Sequence, residues 1–519
     1  MKIFYNAVVY TGGGEFAQAF AVRDGKFVFV GSNEEALTLE GSKTDMKGAF
    51  ICAGFNDSHM HLLNFGQTLA IAPLAAHTGS LEEMLRCLRT TCESRGWIMG
   101  RGWNQDLFLD VSRMPSREDL DTVSTSLPVC AVRACGHALV VNSKAMEILG
   151  VTAATPSPEG GRIDYENGRF YDNAMDLVLN SIPAPDLQTI KDYLRRACRE
   201  LNRRGITSCH SDDYCVFRTV PWQTINRAYR ELEAEGGLTV RVREQANLTT
   251  VEDLEEFLDT EHTDSPRFAM GPLKLLGDGA LGARTAYLSR PYADDPATTG
   301  LSVFTAQQFD ALIGHAHKNG MQTAVHCIGD ACLDLVLNAI ENAQTAHPRD
   351  DARHGIVHCQ IIRPDQLRRI AENRLHVYAQ SIFLDYDIHI VRERAGEELA
   401  ASSYSWKTLM DLGATVSNGS DCPVEAPDVM AGIQCAVTRR DLKGCEAYLP
   451  QEAFTIREAL DSFTMGGAYA GFEENLKGRI APGFLADFVV LGENPFTTDP
   501  GRIKDIPIRE TWLGADPVW

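Results

Sequence analysis

At 519 residues, 44% hydrophobic and 23% charged, the chain exceeds one ordinary compact core and has room for a barrel of roughly 250 residues with attached modules. Its 70 acidic residues outweigh 49 basic ones, for a net charge of −21, which argues against nucleic acid or an anionic membrane as partner, since phosphate binding needs clustered Lys and Arg. The apolar start is short and broken by Asn6, no stretch approaches the ~18 apolar residues of a membrane span, and the fourteen Cys form no Cys-x-x-Cys pair, so a soluble cytoplasmic protein with reduced thiols is expected.

Residues 1–53 alternate apolar and polar positions, with Asp24-Gly25 as a hairpin-type turn, and read as a small antiparallel sheet. Residues 485–491 and 508–513 are similar short strands, which predicts one β-sandwich built from both termini, 1–53 and 478–519. The apolar run 49–53 leads into Gly54-Phe55-Asn56-Asp57-Ser58-His59-Met60-His61-Leu62. If the run is a strand, His59 and His61 face one way, as two ligands of a catalytic divalent metal must. Spacing alone is weak, because 14 His in 519 residues give about 0.4 such pairs by chance. His315 and His317 have the same spacing but lie in a helical pattern that starts with a Thr305 capping box, and on a helix i and i+2 diverge. They read as surface and core histidines.

Residues 71–199 are irregular, with turn-rich segments around Gly100-Arg101-Gly102-Trp103-Asn104 and Gly160-Gly161-Arg162, and read as a large insertion after the first barrel strand. Loops after barrel strands sit at the active-site mouth, which makes Trp103, Asn104 and His137 candidates for shaping a substrate pocket; packing and turn chemistry are the alternative. From about 200 onward, strand-like runs at 205–210, 238–242, 272–278, 322–326, 355–358, 375–379 and 414–418 alternate with helical ones. With the run before His59 they make eight, so the reading is an α/β fold with a (β/α)8 TIM-like barrel over 54–70 and 200–477.

The chemistry of such a barrel collects at the carboxyl ends of its strands, where the sequence places His59, His61, Lys274, His326, His358 and Asp421. Cys327, Cys359 and Cys422 each follow one of these residues. Alternation turns them toward the helical layer, as small buried hydrophobes. These segments, together with 96–106, 136–149, 273–286 and 478–491, resemble the amidohydrolase superfamily, and within it the subgroup that includes N-substituted formamide deformylase. The resemblance implies a barrel with a composite sandwich and one or two zinc ions, with His59, His61 and Asp421 on one metal and His326 and His358 on the other. It further implies that Lys274 is carboxylated by carbon dioxide and bridges them, since a bare ammonium has no lone pair to ligate. The plain alternative is a Lys274 ion-paired with Asp278. Asp278 and Arg284 are candidate substrate contacts. The chain departs from the subgroup at Tyr171-Asp172-Asn173-Ala174, which touches substrate choice rather than the metal site.

The implied reaction is hydrolysis of an amide-type, non-peptide carbon–nitrogen bond of a small molecule by a hydroxide formed at the metals, with Asp421 carrying the proton to the leaving nitrogen. His210, Arg241 and Arg243 lie on neighbouring strands and could steady a substrate or serve the fold. Two other readings stand beside this one. A mononuclear aminohydrolase (deaminase) would use His59, His61, His326 and Asp421 with Lys274 unmodified, and a non-catalytic scaffold would keep only the barrel. The expected partners are the amide-type substrate and, in a homodimer, a second copy of the chain.

Overall fold

The computed structural model describes residues 1–134, 137–158, 160–217 and 219–519; Gly136, which opens one of the resembling segments, lies outside them. The chain divides into two compact units. One comprises Met1–Leu62, Cys198–Cys215 and Tyr229–Trp519, the other Leu63–Ala197 and Val216–Ala228.

The first unit is organised around eight parallel strands: β1 (Phe55–Met60), β2 (Ile206–Ser211), β3 (Arg241–Asn247), β4 (Phe268–Leu276), β5 (Thr323–Cys327), β6 (Gly355–His358), β7 (His376–Ala379) and β8 (Thr415–Asn418). They lie side by side in sequence order. Just beyond β8 the ring draws shut, as Asp421 N–H donates to the His59 carbonyl and Cys422 carbonyl oxygen accepts from His61 N–H, both at 2.8 Å. The α/β fold is therefore a near-closed eight-stranded parallel barrel. Helices such as Ala306–Lys318, opened by a Thr305–Gln308 capping box, and Asp330–Ala346 connect successive strands.

The run 49–53 is not the first barrel strand. Phe50–Ala53 belongs to another sheet, and the chain crosses into the barrel at Gly54, where a Cβ would sit 2.3 Å from Thr207 Oγ1. That other sheet joins Val8–Gly12, Phe50–Ala53 and Glu15–Ala17 to Phe488–Leu491 and Ile508–Leu513 from the far end of the sequence. A second sheet holds Lys2–Tyr5, Ala19–Arg23, Lys26–Gly31 and Ser42–Asp45. Phe4, Phe20, Phe27, Ile51 and Phe488 pack in one core, with the Phe488 ring 5.0 Å from that of Phe20. These sheets are mixed rather than antiparallel. Lys2–Tyr5 runs parallel to Ser42–Asp45, and the helix Asn33–Thr38 lies in the connection that a parallel return requires. Arg241, at the start of β3, forms a buried two-pronged ion pair with Asp487 at 2.7 and 3.0 Å. Arg243 donates to the Met270 carbonyl at 2.7 Å. Both arginines thus have structural work.

The second unit carries a six-stranded sheet that includes Ile98–Trp103, Val129–Arg133, Ala138–Val141 and Arg169–Asp172, with apolar clusters around Leu85 and Trp103 and around Leu139 and Phe170. Among the described residues no helix is long and apolar enough to cross a membrane.

Candidate metal centre

The ends of β1, β4, β5, β6 and the segment after β8 bring the six sequence-derived candidates together. His59 Nε2 lies 3.4 Å and His61 Nε2 3.1 Å from Asp421 Oδ1. The His358 ring is 5.6 Å from that of His59 and 4.4 Å from that of His326. Lys274 Nζ, fully buried, stands 3.5 Å from His59 Nε2. Ligand atoms of His59, His358 and Asp421 fall within 4.8 Å of one another.

The opposite edge of each ring explains why these imidazoles can serve a cation. His59 Nδ1 donates to Gln245 Oε1 at 2.8 Å, and His358 Nδ1 to Gln380 Oε1 at 2.7 Å. The Gln380 amide is oriented by its own bond to the Tyr378 carbonyl at 2.9 Å. His61 Nδ1 donates to the Asp212 carbonyl at 2.9 Å. Oxygens that can only accept fix the proton on Nδ1 and leave Nε2 its lone pair. His326 is reversed: its Nε2 faces the Gly279 carbonyl at 3.1 Å, which leaves Nδ1 as the free donor atom. Burial pushes the His59 imidazolium down to about 4, helped by the charge of Lys274, and burial with His326 alongside lowers His358 well below the ordinary value. Asp421 goes the other way. Burial opposes its charge, but the adjoining His59 and His61 rings hold the carboxyl well below the usual range. The donor set of imidazoles, an ionised carboxylate and further carboxylates nearby suits a divalent transition metal.

Backbone strain gathers here. His358, Cys359 and Asp421 have φ of +72°, +53° and +57°, left-handed values that non-glycine residues rarely take and that cluster where a side chain must be aimed. Asp57 ties β1 to the segment after β8, accepting from Ser420 N–H at 3.0 Å and from its hydroxyl.

Sequence reasoning missed Asp212, Gln245 and Gln380. Lys274 pairs with Asp212, at 3.2 Å with both side chains fully buried, and not with Asp278. Asp278 spends its oxygens on the N–H groups of Tyr287, Ile328 and Gly329 at 2.8–3.0 Å and lies 3.4 Å from His326 Nε2. Cys215 Sγ sits 3.6 Å from Asp212 Oδ1, which with His61 makes a second group of potential ligands. Arg284 is paired with Asp294 at 2.6 Å, a carboxylate that Arg394 shares. His210 is fully buried and neither ring nitrogen has a partner. Within the second unit, Trp103 is a core residue whose indole N–H donates to the Ala131 carbonyl at 2.9 Å, Asn104 caps the turn Gln105–Leu107, and His137 is exposed, with Nδ1 3.1 Å from Asp172. Cys327, Cys359 and Cys422 are buried free thiols.

The control pair behaves as a helix dictates. His315 is partly exposed, while His317 is buried and bonds His354 at 2.7 Å and the His347 carbonyl at 2.5 Å. His59→Ala or His61→Ala is therefore expected to abolish metal loading, and His315→Ala to leave it intact. His317→Ala should cost about 1–3 kcal/mol of stability, through the partner left unpaired, with normal turnover per folded molecule. Metal analysis and thermal melts of the four variants check this. Gln245→Ala and Gln380→Ala should each weaken metal binding ~10–100-fold with the ligands intact, as read by chelator competition.

The Amidohydrolase family model matches residues 44–518, and the chain belongs to that family. The chain is 32% identical to the Bacillus subtilis (strain 168) protein YtcJ over 533 aligned residues, covering 100% of this chain and 99% of that one. It is 24% identical to the N-substituted formamide deformylase of Arthrobacter pascens, over 96% of this chain and 94% of the relative. Among solved structures, an uncharacterized metal-dependent hydrolase from Pyrococcus furiosus superposes with a TM-score of 0.81 at 30% identity, over 96% of this chain and all of that one.

Proposed function

We propose that the chain is a metal-dependent hydrolase that cleaves an amide-type, non-peptide carbon–nitrogen bond of a small molecule. The observation that carries the reading is the convergence of imidazole lone pairs on Asp421, each freed by an acceptor behind its ring. His59, His61 and Asp421 would hold one ion, and His326 with His358 a second, zinc being the metal this donor set favours. A divalent ion, when bound there, polarises a substrate carbonyl and brings the pKa of water toward neutrality. Asp421, held as the anion, accepts the proton of the attacking water and returns it to the departing nitrogen, so the amine leaves neutral. His59 and His358 stay neutral and keep the ligand geometry rigid. The likeness to the Arthrobacter formamide deformylase supports the amide-type bond.

The Lys274–Asp212 ion pair favours a second reading, in which one metal suffices and Lys274 remains an amine. Turnover of a panel of N-formyl, N-acyl and cyclic amides, measured before and after chelation and zinc addition, tests the main proposal. Metal-dependent release of an amine supports it. Release of ammonia from an aminated ring, with the amides untouched, would move the assignment to the deaminase.

A further inference from the structure

Away from these ligands, a nitrogen of His389, a carboxylate oxygen of Asp441 and the sulfur of Cys445 lie within 4.8 Å of one another. His389 follows the short helix Leu384–Asp387 beyond β7, whereas Asp441 and Cys445 lie in the turn after the helix Val429–Thr438. That turn is fixed by its own backbone. Asp441 Oδ1 accepts the N–H groups of Lys443 at 3.0 Å and Cys445 at 2.9 Å, and Gly444 takes the φ of +90° that the turn needs. With Oδ1 engaged, Oδ2 faces His389 Nε2 at 3.0 Å. Asp441 N–H points at Cys445 Sγ at 3.4 Å, and the thiol donates to the Glu446 carbonyl at 3.2 Å, which fixes the sulfur in the turn. The two segments are held in register by a bond from Leu442 N–H to Asp385 Oδ1 at 2.6 Å.

We propose that His389, Asp441 and Cys445 form a second, peripheral site for a zinc-class transition metal, which nothing in the hydrolase reading requires. Hard cations such as magnesium and calcium take oxygen ligands, whereas one imidazole, one thiolate and one carboxylate select zinc and its neighbours. The carboxylate and the thiolate together balance a doubly charged ion. Bond lengths of about 2.0 Å to nitrogen or oxygen and 2.3 Å to sulfur place the three donors of a tetrahedron roughly 3.3–3.5 Å apart, within reach of small side-chain rotations from the spacing seen. His389, 50% exposed, is free to make that rotation, and Asp441, at 7%, is the anchor. In a simple His389–Asp441 ion pair Cys445 would only brace the turn, so a metal–thiolate bond is what separates the two. An ion there would fasten the excursion after β7 to a turn 52 residues further along the chain.

The test is cobalt(II) titrated into the full chain, with thiolate-to-cobalt charge-transfer absorption as the readout. One equivalent of thiolate-bound cobalt is expected, displaced by zinc. The band should fall by ~10-fold or more in Cys445→Ser and need higher cobalt in His389→Gln, while circular dichroism stays native. It should survive in Cys215→Ser, which removes the thiol beside His61, and in His59→Ala. Absence of the band from the wild-type chain, its persistence in Cys445→Ser, or its loss in Cys215→Ser alone would each overturn the proposal. None of these outcomes depends on whether amides are hydrolysed.

Discussion

Asp421→Asn is expected to lower turnover by about 10²- to 10⁴-fold while most of the bound metal stays, because the substitution removes the proposed proton carrier but keeps an oxygen of the same reach. That range corresponds to about 2.7–5.4 kcal/mol of lost transition-state stabilisation. The backbone accepts the change readily. At φ +57° the position is left-handed, a conformation Asn tolerates as well as Asp, and Asp421 N–H remains bonded to the His59 carbonyl at 2.8 Å. His61, now beside a neutral amide, loses the ion pair that raises its pKa well above the ordinary value. Asp421→Ala should differ in kind, losing metal as well as rate. Single-turnover rates set beside metal content for the two variants make the comparison. A near-normal rate in Asp421→Asn would remove Asp421 from the proton path.

The six residues that meet were legible in the sequence because each is a polar residue at or near the end of an apolar run, and barrel strands all open onto one face. The residues behind them were not. The run read as 238–242 ends before Glu244 and Gln245, both buried inside a strand that continues to Asn247, and polar residues inside the barrel erase the alternation by which a strand is recognised. Asp212 was lost in the same way, by ending the second strand at His210 although it runs to Ser211. Reading each strand to its true end and one residue beyond would have covered Asp212, Gln245 and also Gln380, which directly follows Ala379. The plain alternative for Lys274, a pair with Asp278, chose the wrong carboxylate for a different reason. Alternation puts Asp278 on the same strand face, but β4 ends at Leu276, and beyond it the chain turns Asp278 toward the backbone of residues 328 and 329. A residue outside a strand no longer obeys the period of two.

Lys274→Ala is expected to remove at least one metal per chain and most activity, and the structure adds a condition to that result. Lys274 and Asp212 are both fully buried, so deleting the lysine leaves an uncompensated carboxylate, at a cost of about 3–5 kcal/mol. Loss of activity in the single variant therefore mixes two causes. The double variant Lys274→Met, Asp212→Asn separates them, since neither side chain is then charged, and its melting temperature should recover most of what Lys274→Ala loses. If Lys274 acts as a carbamate, the double variant stays inactive although stable, and an added small carboxylic acid that occupies the vacated space restores part of the rate. Carboxylation requires the neutral amine, which an ordinary lysine rarely offers at pH 7, whereas burial and a neighbouring cation both favour it. Lys274→Arg should then be as inactive as Lys274→Ala, because guanidinium stays charged. The mass of the intact chain and its metal content, prepared with and without bicarbonate, decide between the readings. One added carbon dioxide and two metals with bicarbonate support the bridge. One metal, no added mass and full activity would identify Lys274 as the counter-charge of Asp212 and the centre as mononuclear.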